Sequence, residues 1–275
     1  MSFFRRYPAW CDRARQGLVL VAMVVGGILP GAGRVLGQDA QLERADRILR
    51  EAGRELASGN YDAVRIKANE VAKLLPDSAA AQQRAAELLY LSGHPLESLP
   101  LFDRVVELSP EDAPHNWQRG IALCTCGDFK RGAEQFKTHH DVNPDDVENS
   151  AWYFLCVAKL EDMEAAQKTV IPSRGDGRQP MMAVLQLLQG KIMPDEVIAA
   201  ADVNTREGRA RQMARFYADL YVGLYYDSAD NTAEAKKYLK RSLGYGVDGY
   251  MVDTARVYLE HRFQANKDSA KPAIP

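Results

Sequence analysis

A set of glycine, aromatic and proline residues recurs every 34 residues in the first half of this chain. The recurring pairs are Gly93/Gly127, Phe102/Phe136 and Pro110/Pro144. The same register extends backwards to Gly59 and Pro76, which gives three copies in a row. A fixed period of this kind, in which each unit has the pattern of two amphipathic helices, is typical of a helical solenoid. The sequence therefore predicts an all-α fold.

The residues at fixed positions of each copy resemble the tetratricopeptide repeat (TPR) family. The third copy matches the small, glycine, aromatic and proline positions of that family with Gly120, Gly127, Phe129, Gly132, Phe136 and Pro144. The second copy departs mainly at Pro95, where an aromatic residue is expected, and the first copy matches less well. Small residues let two helices approach closely, and the glycine ends the first helix in a left-handed cap. The resemblance implies three TPR units over residues 38–146.

The chain from residue 147 to 265 has the pattern of further helices whose repeat register has degenerated. A fourth helix pair has its turn at Glu161 and Asp162, without the glycine of the earlier copies. We expect a last helix at about 249–263 to cap the array, because terminal units of a solenoid must cover its end. The polar tail 266–275 is expected to be mobile.

The first 37 residues differ from the rest and predict a signal peptide, residues 1–37. Arginines precede an apolar run from Gly17 to Leu29, and this run is shorter than the roughly 20 residues that a membrane-spanning helix needs. Small side chains near Gly37 predict cleavage after that residue. The mature protein is then expected in the periplasm or cell envelope, without a stable membrane span. Retention of the segment as an anchor is the alternative.

Charge and motifs argue against several functional classes. The formal net charge of −2 offers no excess of basic residues for nucleic acid. The sequence contains no Gly-rich phosphate loop, no Gly-x-Ser-x-Gly elbow and no paired catalytic carboxylates. We therefore predict no catalytic residues, no cofactor and no enzymatic activity. The expected partners are proteins or peptides.

A second set of motifs makes the family resemblance more specific. These are Arg119 to Leu123, Asn143 to Asp145, Trp152 with Tyr153, and the pattern around Tyr221, Gly223, Tyr225, Tyr226 and Ala235. They resemble the TPR-containing NlpI family of bacterial envelope lipoproteins over residues 79–260, including the irregular middle. The resemblance implies a non-catalytic adaptor that binds envelope proteases and cell-wall hydrolases, commonly as a dimer. The lipid-attached cysteine of that family is missing here, so the resemblance does not extend to a lipid anchor.

The TPR resemblance also implies a concave face lined by the first helix of each unit. The residues expected to line this groove are Gln83, Glu87, Tyr90, Leu91, Trp117, Ile121 and Cys124. An apolar surface with one carboxylate suits an extended peptide or a helix of a partner protein. Burial of Trp117 and Tyr90 by a neighbouring helix or by the capping segment is the alternative.

Three tyrosines near the C-terminus form a second candidate surface. Tyr217, Tyr221 and Tyr225 recur every four residues and therefore share one stripe of a helix. Core packing is the default interpretation of such a stripe. An interface with a partner or in a homodimer is the alternative, because tyrosine hydroxyls tolerate partial exposure.

The remaining candidate for chemistry is a group of cysteines and histidines in the third unit. Cys124 and Cys126 lie on its first helix, and His139 and His140 lie near the end of its second. Adjacent helical residues diverge by about 100°, and no CxxC or HxxxH spacing completes a zinc site, so we predict packing residues and no metal. A metal- or thiol-dependent protein built on these four residues is the alternative function. The cysteine spacing is not that of a disulfide framework, and a bond between the third and fourth units stays open.

Overall fold

The computed structural model describes residues 32–203 and 207–264, and over these ranges the chain is helical without any β-strand. The all-α prediction is therefore confirmed. Contacts divide the described residues into two compact units, with the boundary after Pro110. Residues 1–31 of the predicted signal peptide and the predicted tail 266–275 lie outside the described residues. Within the described ranges, no helix combines the length and the apolar character needed to cross a bilayer.

The first unit consists of two helix-turn-helix pairs. Its helices are α1 Ala32–Ser58, α2 Tyr61–Leu74, α3 Ala79–Leu91 and α4 Pro95–Leu108. Helix α3 packs against α1, α2 and α4, so it is the central helix of this unit. Ser78 begins α3 with its hydroxyl accepting a hydrogen bond from the Ala81 N–H at 3.3 Å. Helix α1 runs across the predicted cleavage position after Gly37, and cleavage stays a prediction.

The second unit continues the same pattern and ends in a single helix. Its elements are α5 Trp117–Thr125, α6 Phe129–Val142, α7 Val147–Leu160, α8 Met163–Lys168, α9 Met181–Leu188, α10 Pro194–Ala200, α11 Arg209–Ser228, α12 Thr232–Ser242 and α13 Tyr250–Gln264, with 3₁₀ turns η1 Pro110–His115 and η2 Leu243–Tyr245. Side-chain oxygens of Asn116, Asp128, Asp146, Asp162 and Asn231 cap five of these helices. These caps satisfy backbone N–H groups that no helical carbonyl can reach.

The turn inside the first three helix pairs has the same backbone conformation each time. Gly59, Gly93 and Gly127 have φ angles of +77°, +88° and +83°. The glycine N–H donates to the carbonyl three residues earlier at 2.9–3.1 Å, and the next N–H donates to the carbonyl five residues earlier at 2.9 Å. These two bonds define a Schellman cap, which requires a left-handed residue. The left-handed cap predicted from the 34-residue spacing is confirmed.

Later pairs lack the glycine at this turn, as the sequence indicates for the fourth pair. The turn from α7 to α8 has Glu161 at φ −124° instead of a left-handed glycine, and α8 is only 6 residues long. Asp162 begins α8 by accepting a hydrogen bond from the Ala165 N–H at 2.8 Å. In the turn from α11 to α12, Asp230 takes the left-handed position with φ +57°. The helix-turn-helix pattern therefore continues in pairs whose turn contains no glycine at this position.

Glycines also permit the closest contacts between paired helices of the second unit. A Cβ atom on Gly120 of α5 would lie 2.7 Å from the ring of Phe136 on α6. A Cβ atom on Gly223 of α11 would lie 2.8 Å from the side chain of Leu239 on α12. Real Cβ atoms do not approach other heavy atoms this closely, so both positions need a residue without a side chain.

Gly120→Ala is expected to lower the free energy of unfolding by about 1–3 kcal/mol, because the added methyl group overpacks a closed core. Phe136 is 1% exposed, so its ring is enclosed within the protein. Urea unfolding followed by circular dichroism measures the loss. Gly175→Ala is the matched control, since no heavy atom lies within 4 Å of its added Cβ, and it should change stability by less than about 0.5 kcal/mol. Equal stability of the two variants would contradict the close contact.

Candidate partner-binding surfaces

Most of the residues predicted to line a groove are buried. The six with 0–6% exposure are Gln83, Glu87, Tyr90, Leu91, Ile121 and Cys124. A side chain without accessible surface cannot contact a partner, so these residues do not form an open groove, contrary to the prediction. Helix α3, which carries four of these residues, packs against the three other helices of its unit.

Trp117, the seventh predicted groove residue, is half-buried and packs against the last helix. Its ring lies edge-on to Tyr250 of α13, with centroids 4.9 Å apart. Farther along α13, Tyr258 lies edge-on to Trp152 of α7 at 5.5 Å, and its hydroxyl donates to Asp227 of α11. Helix α13 therefore lies across α5, α7 and α11, which are first helices of their pairs. The face expected to receive a partner helix holds a helix of the same chain.

A buried carboxylate fixes α13 in this position. Asp227 on α11 is 3% exposed, and one of its oxygens lies 3.1 Å from Lys159 Nζ of α7. Its other oxygen accepts the Tyr258 hydroxyl and lies 3.7 Å from Arg262 Nε. The Arg262 guanidinium also stacks over the Phe129 ring at 5.2 Å. Three helices of the second unit thus meet at a single negative charge.

Two exposed apolar side chains lie on the second helices of the first unit. Ile66 of α2 is 69% exposed and Leu96 of α4 is 62% exposed. Their sequence neighbours Arg65 and Glu97 form an ion pair at 2.7 Å that joins the two helices. We call Ile66, Leu96, Arg65 and Glu97 the outer patch. The ion pair therefore joins α2 and α4 through the sequence neighbours of the two exposed apolar side chains.

A groove of about 750 Å³ follows the same face of α2. Its lining residues recur at helical spacing and are Asp62, Arg65, Ile66, Asn69, Glu70 and Lys73. Ile66 is the apolar member of this set, and the others carry charged or amide groups. An apolar centre with a polar rim is the arrangement typical of protein-protein interfaces. The periodicity of the sequence did not identify this surface, because it assigns apolar residues at helical spacing to the core.

The three predicted interface tyrosines lie within the second unit. Tyr221 is buried, with 1% exposure, whereas Tyr217 and Tyr225 are half-buried. Tyr217 stacks on Tyr221 with centroids 6.2 Å apart, and Tyr225 stacks on Phe154 of α7 at 6.0 Å. Tyr221 therefore packs in the core of the second unit. A homodimer interface at this stripe stays a prediction.

An acidic cluster next to these tyrosines surrounds one arginine. Arg178 forms ion pairs with Asp146, Glu148 and Asp176, and its guanidinium lies 5.8 Å from the centroid of the Tyr217 ring. Burial raises the pKa of Glu148 from its usual 4.5 to about 7, although the positive charge of Arg178 acts in the opposite direction. Part of the stability of this cluster therefore depends on pH.

Folding raises the pKa of Glu148, so the folded state is favoured when this carboxyl is protonated. This stabilisation is complete below pH 4.5 and is lost as the pH rises to about 7. Glu148→Gln keeps the neutral form at every pH. The unfolding free energy of the wild type minus that of the variant should fall by about 1–3 kcal/mol between pH 4.5 and pH 7.5. Parallel urea titrations across this range measure the difference. A difference that rises with pH would show that pairing with Arg178 outweighs burial.

The predicted cysteine and histidine group is not brought together as a ligand set. His139 is buried with Nδ1 at 2.8 Å from the Pro114 carbonyl oxygen, and burial lowers the pKa of His139. Cys124 contacts Cys156 instead of a histidine, with the sulfurs 2.9 Å apart. In residues 39–203 and 207–263, no three His, Cys, Asp or Glu side chains are grouped to hold a metal ion. The alternative function based on Cys124, Cys126, His139 and His140 gains no support from this geometry.

Comparison with known proteins gives no family assignment. No protein-family model matches the chain, and no curated protein is significantly similar to it. The inference of function therefore rests on the repeated helix pairs and on the surfaces described above.

Proposed function

We propose that this chain is an exported, non-catalytic adaptor of the TPR type that holds other proteins together in the cell envelope. The observation that carries this proposal is the Schellman turn repeated at Gly59, Gly93 and Gly127, each followed by a second helix. Repeats of this kind present extended surfaces and act by binding other chains. The sequence resemblance to the NlpI family supports an envelope location, with proteases or cell-wall hydrolases as partners and a homodimer as the assembly.

The outer patch is the surface that we propose for the partner. Ile66 and Leu96 supply exposed apolar area, while Arg65 and Glu97 supply a paired polar edge. Large apolar side chains at the centre of an interface provide most of its binding energy when a partner removes them from water. The groove along α2 suits an amphipathic helix that presents apolar residues at helical spacing.

The position of α13 is a further argument for the outer patch. In the second unit, Tyr250 and Tyr258 already cover Trp117 and Trp152. A partner helix at this face has to displace α13, including the buried contact between Tyr258 and Asp227. Docking on the outer patch displaces no described side-chain packing, because Ile66 and Leu96 are already exposed.

Affinity capture from envelope extract of the native organism tests the proposal. The variant Ile66→Asp/Leu96→Asp places two charges in the outer patch, and Met193→Asp is the control, because Met193 is 68% exposed in the second unit. The wild type and the control should recover the same proteins, and the double variant should recover at least tenfold less, equivalent to about 1.4 kcal/mol. Circular dichroism should be the same for all three proteins. Equal recovery by the double variant would contradict the assignment of the surface.

A further inference from the structure

Two buried cysteine sulfurs meet between neighbouring helices of the second unit. Sγ of Cys124 on α5 lies 2.9 Å from Sγ of Cys156 on α7, whereas non-bonded carbon atoms, which are smaller than sulfur, pack at about 3.5–4.0 Å. Both side chains are 0% exposed. We propose that Cys124 and Cys156 form a disulfide bond that links the first helices of the third and fourth pairs.

The surroundings of the two sulfurs leave space for this bond. A Cβ atom on Gly132 of α6 would lie 2.9 Å from the Cys156 sulfur and 3.0 Å from the Cys124 sulfur. The absent side chain of Gly132 therefore creates the volume in which the sulfurs meet. Helices α5 and α7 are in contact, so side-chain rotation can shorten the separation to the disulfide length of about 2.0 Å. Cys126, the residue that ends α5 as its C-cap, is half-buried and points to a different side from Cys124.

The chemistry requires an oxidant that accepts two electrons, and a small-molecule or protein disulfide supplies this capacity. The thiolate of one cysteine attacks the oxidant disulfide, forming a mixed disulfide and releasing one thiol. The other cysteine then attacks the mixed disulfide as its thiolate, which forms the Cys124–Cys156 bond and releases the second thiol. The two cysteines lose two protons and two electrons in total, and the oxidant disulfide is reduced to two thiols.

Burial determines when this exchange occurs. Burial raises the pKa of the Cys156 thiol well above its ordinary value, so the folded protein holds little of the reactive thiolate. The bond therefore forms during folding, before α7 closes over α5. After folding, the same burial protects the bond from dissolved reductants.

The bond would stabilise the face on which α13 rests. Trp152 lies one helical turn before Cys156 on α7 and contacts Tyr258 of α13. Trp117 lies on the same helix as Cys124 and contacts Tyr250 of α13. A cross-link between residues 32 positions apart restricts the unfolded chain and keeps these two contact points in place.

Peptide mapping after oxidative refolding tests the inference. The full chain is refolded from denaturant in a buffer of oxidised and reduced glutathione, alkylated, and digested without reduction. We expect most molecules to yield a peptide linking Cys124 to Cys156, with Cys126 alkylated, and Cys126→Ser to give the same linked peptide. Alkylation of both Cys124 and Cys156, or equal linkage of Cys126 to either one, would overturn the proposal.

A thermal measurement on the same samples provides a second readout. Refolding the wild type in a reductant instead of the glutathione buffer should lower its melting temperature by roughly 5–15 °C, because the bond then never forms. Cys156→Ala cannot form the bond, so its melting temperature should not change with reductant. An unchanged wild type would also overturn the proposal. Neither measurement involves a partner or an envelope, so failure here leaves the adaptor proposal unaffected.

Discussion

Trp152→Ala is expected to lower the free energy of unfolding of the second unit by about 3–5 kcal/mol. Trp152 is 1% exposed and lies between Phe136 of α6, at a centroid distance of 6.5 Å, and Tyr258 of α13, at 5.5 Å. Removing the indole leaves a cavity between three helices and removes the ring that Tyr258 packs against. Hydrogen exchange should therefore accelerate in α13 as well as in α7.

Leu160→Ala is the control for this prediction. Leu160 lies on the same helix as Trp152 but is 50% exposed, so its truncation should cost less than about 1 kcal/mol. Urea unfolding of both variants measures the difference, and hydrogen exchange localises it. If the two substitutions cost the same, or if exchange in α13 is unchanged by Trp152→Ala, then α13 is not held by the first helices as described.

Asp227→Asn is expected to lower the free energy of unfolding by about 3 kcal/mol or more, because it removes the buried negative charge that two ion pairs share. Asp227 is 3% exposed, and both Lys159 and Arg262 contact its carboxylate. Asparagine keeps the size of the side chain but leaves the Arg262 guanidinium without its buried counter-charge. Lys159 retains a second carboxylate, Asp230, at 2.5 Å, which limits the loss.

The same substitution at an exposed carboxylate is the matched comparison. The side chain of Asp230 is 87% exposed and pairs with the same lysine, and asparagine tolerates its left-handed backbone. Asp230→Asn should therefore change the unfolding free energy by less than about 1 kcal/mol. Thermal unfolding of both variants gives the comparison. Similar losses would show that burial of Asp227 does not determine its contribution.

The features that follow from short-range rules were predictable from the sequence. The left-handed turns at Gly59, Gly93 and Gly127 follow from local backbone geometry, and the 34-residue spacing identifies them without knowledge of any tertiary contact. The absence of that glycine at Glu161 predicted the departure of the fourth pair in the same way. Side-chain caps such as Asp128 belong to this class, because their hydrogen bonds reach only three residues along the chain.

The path of the last helix could not be read from the sequence. Its periodicity predicted a helix near 249–263 and its position at the end suggested a cap. The contact of Tyr250 with Trp117 joins residues far apart in the chain, and no local pattern encodes it. For the same reason, the sequence did not show that the first helices of the second unit are covered by α13.

The sequence analysis also did not identify the buried ion pairs or the exposed apolar side chains. Arg178 lies in a segment without helical periodicity, and its pairing with Glu148 links positions 30 residues apart. Asp227 lies in the pattern of α11, which gives no sign of the partners of this carboxylate. Ile66 and Leu96 match the pattern of core residues, and only the packing of α2 and α4 leaves them exposed.

Photocrosslinking in the native cell tests the central claim most directly. A photoreactive amino acid replaces Ile66 in one variant and the exposed Met193 in another. If the chain is an adaptor that binds through the outer patch, irradiation should produce a discrete covalent adduct with another envelope protein from position 66 and none from position 193. The account would be contradicted if position 66 produced no adduct, or if both positions produced the same products at the same yield.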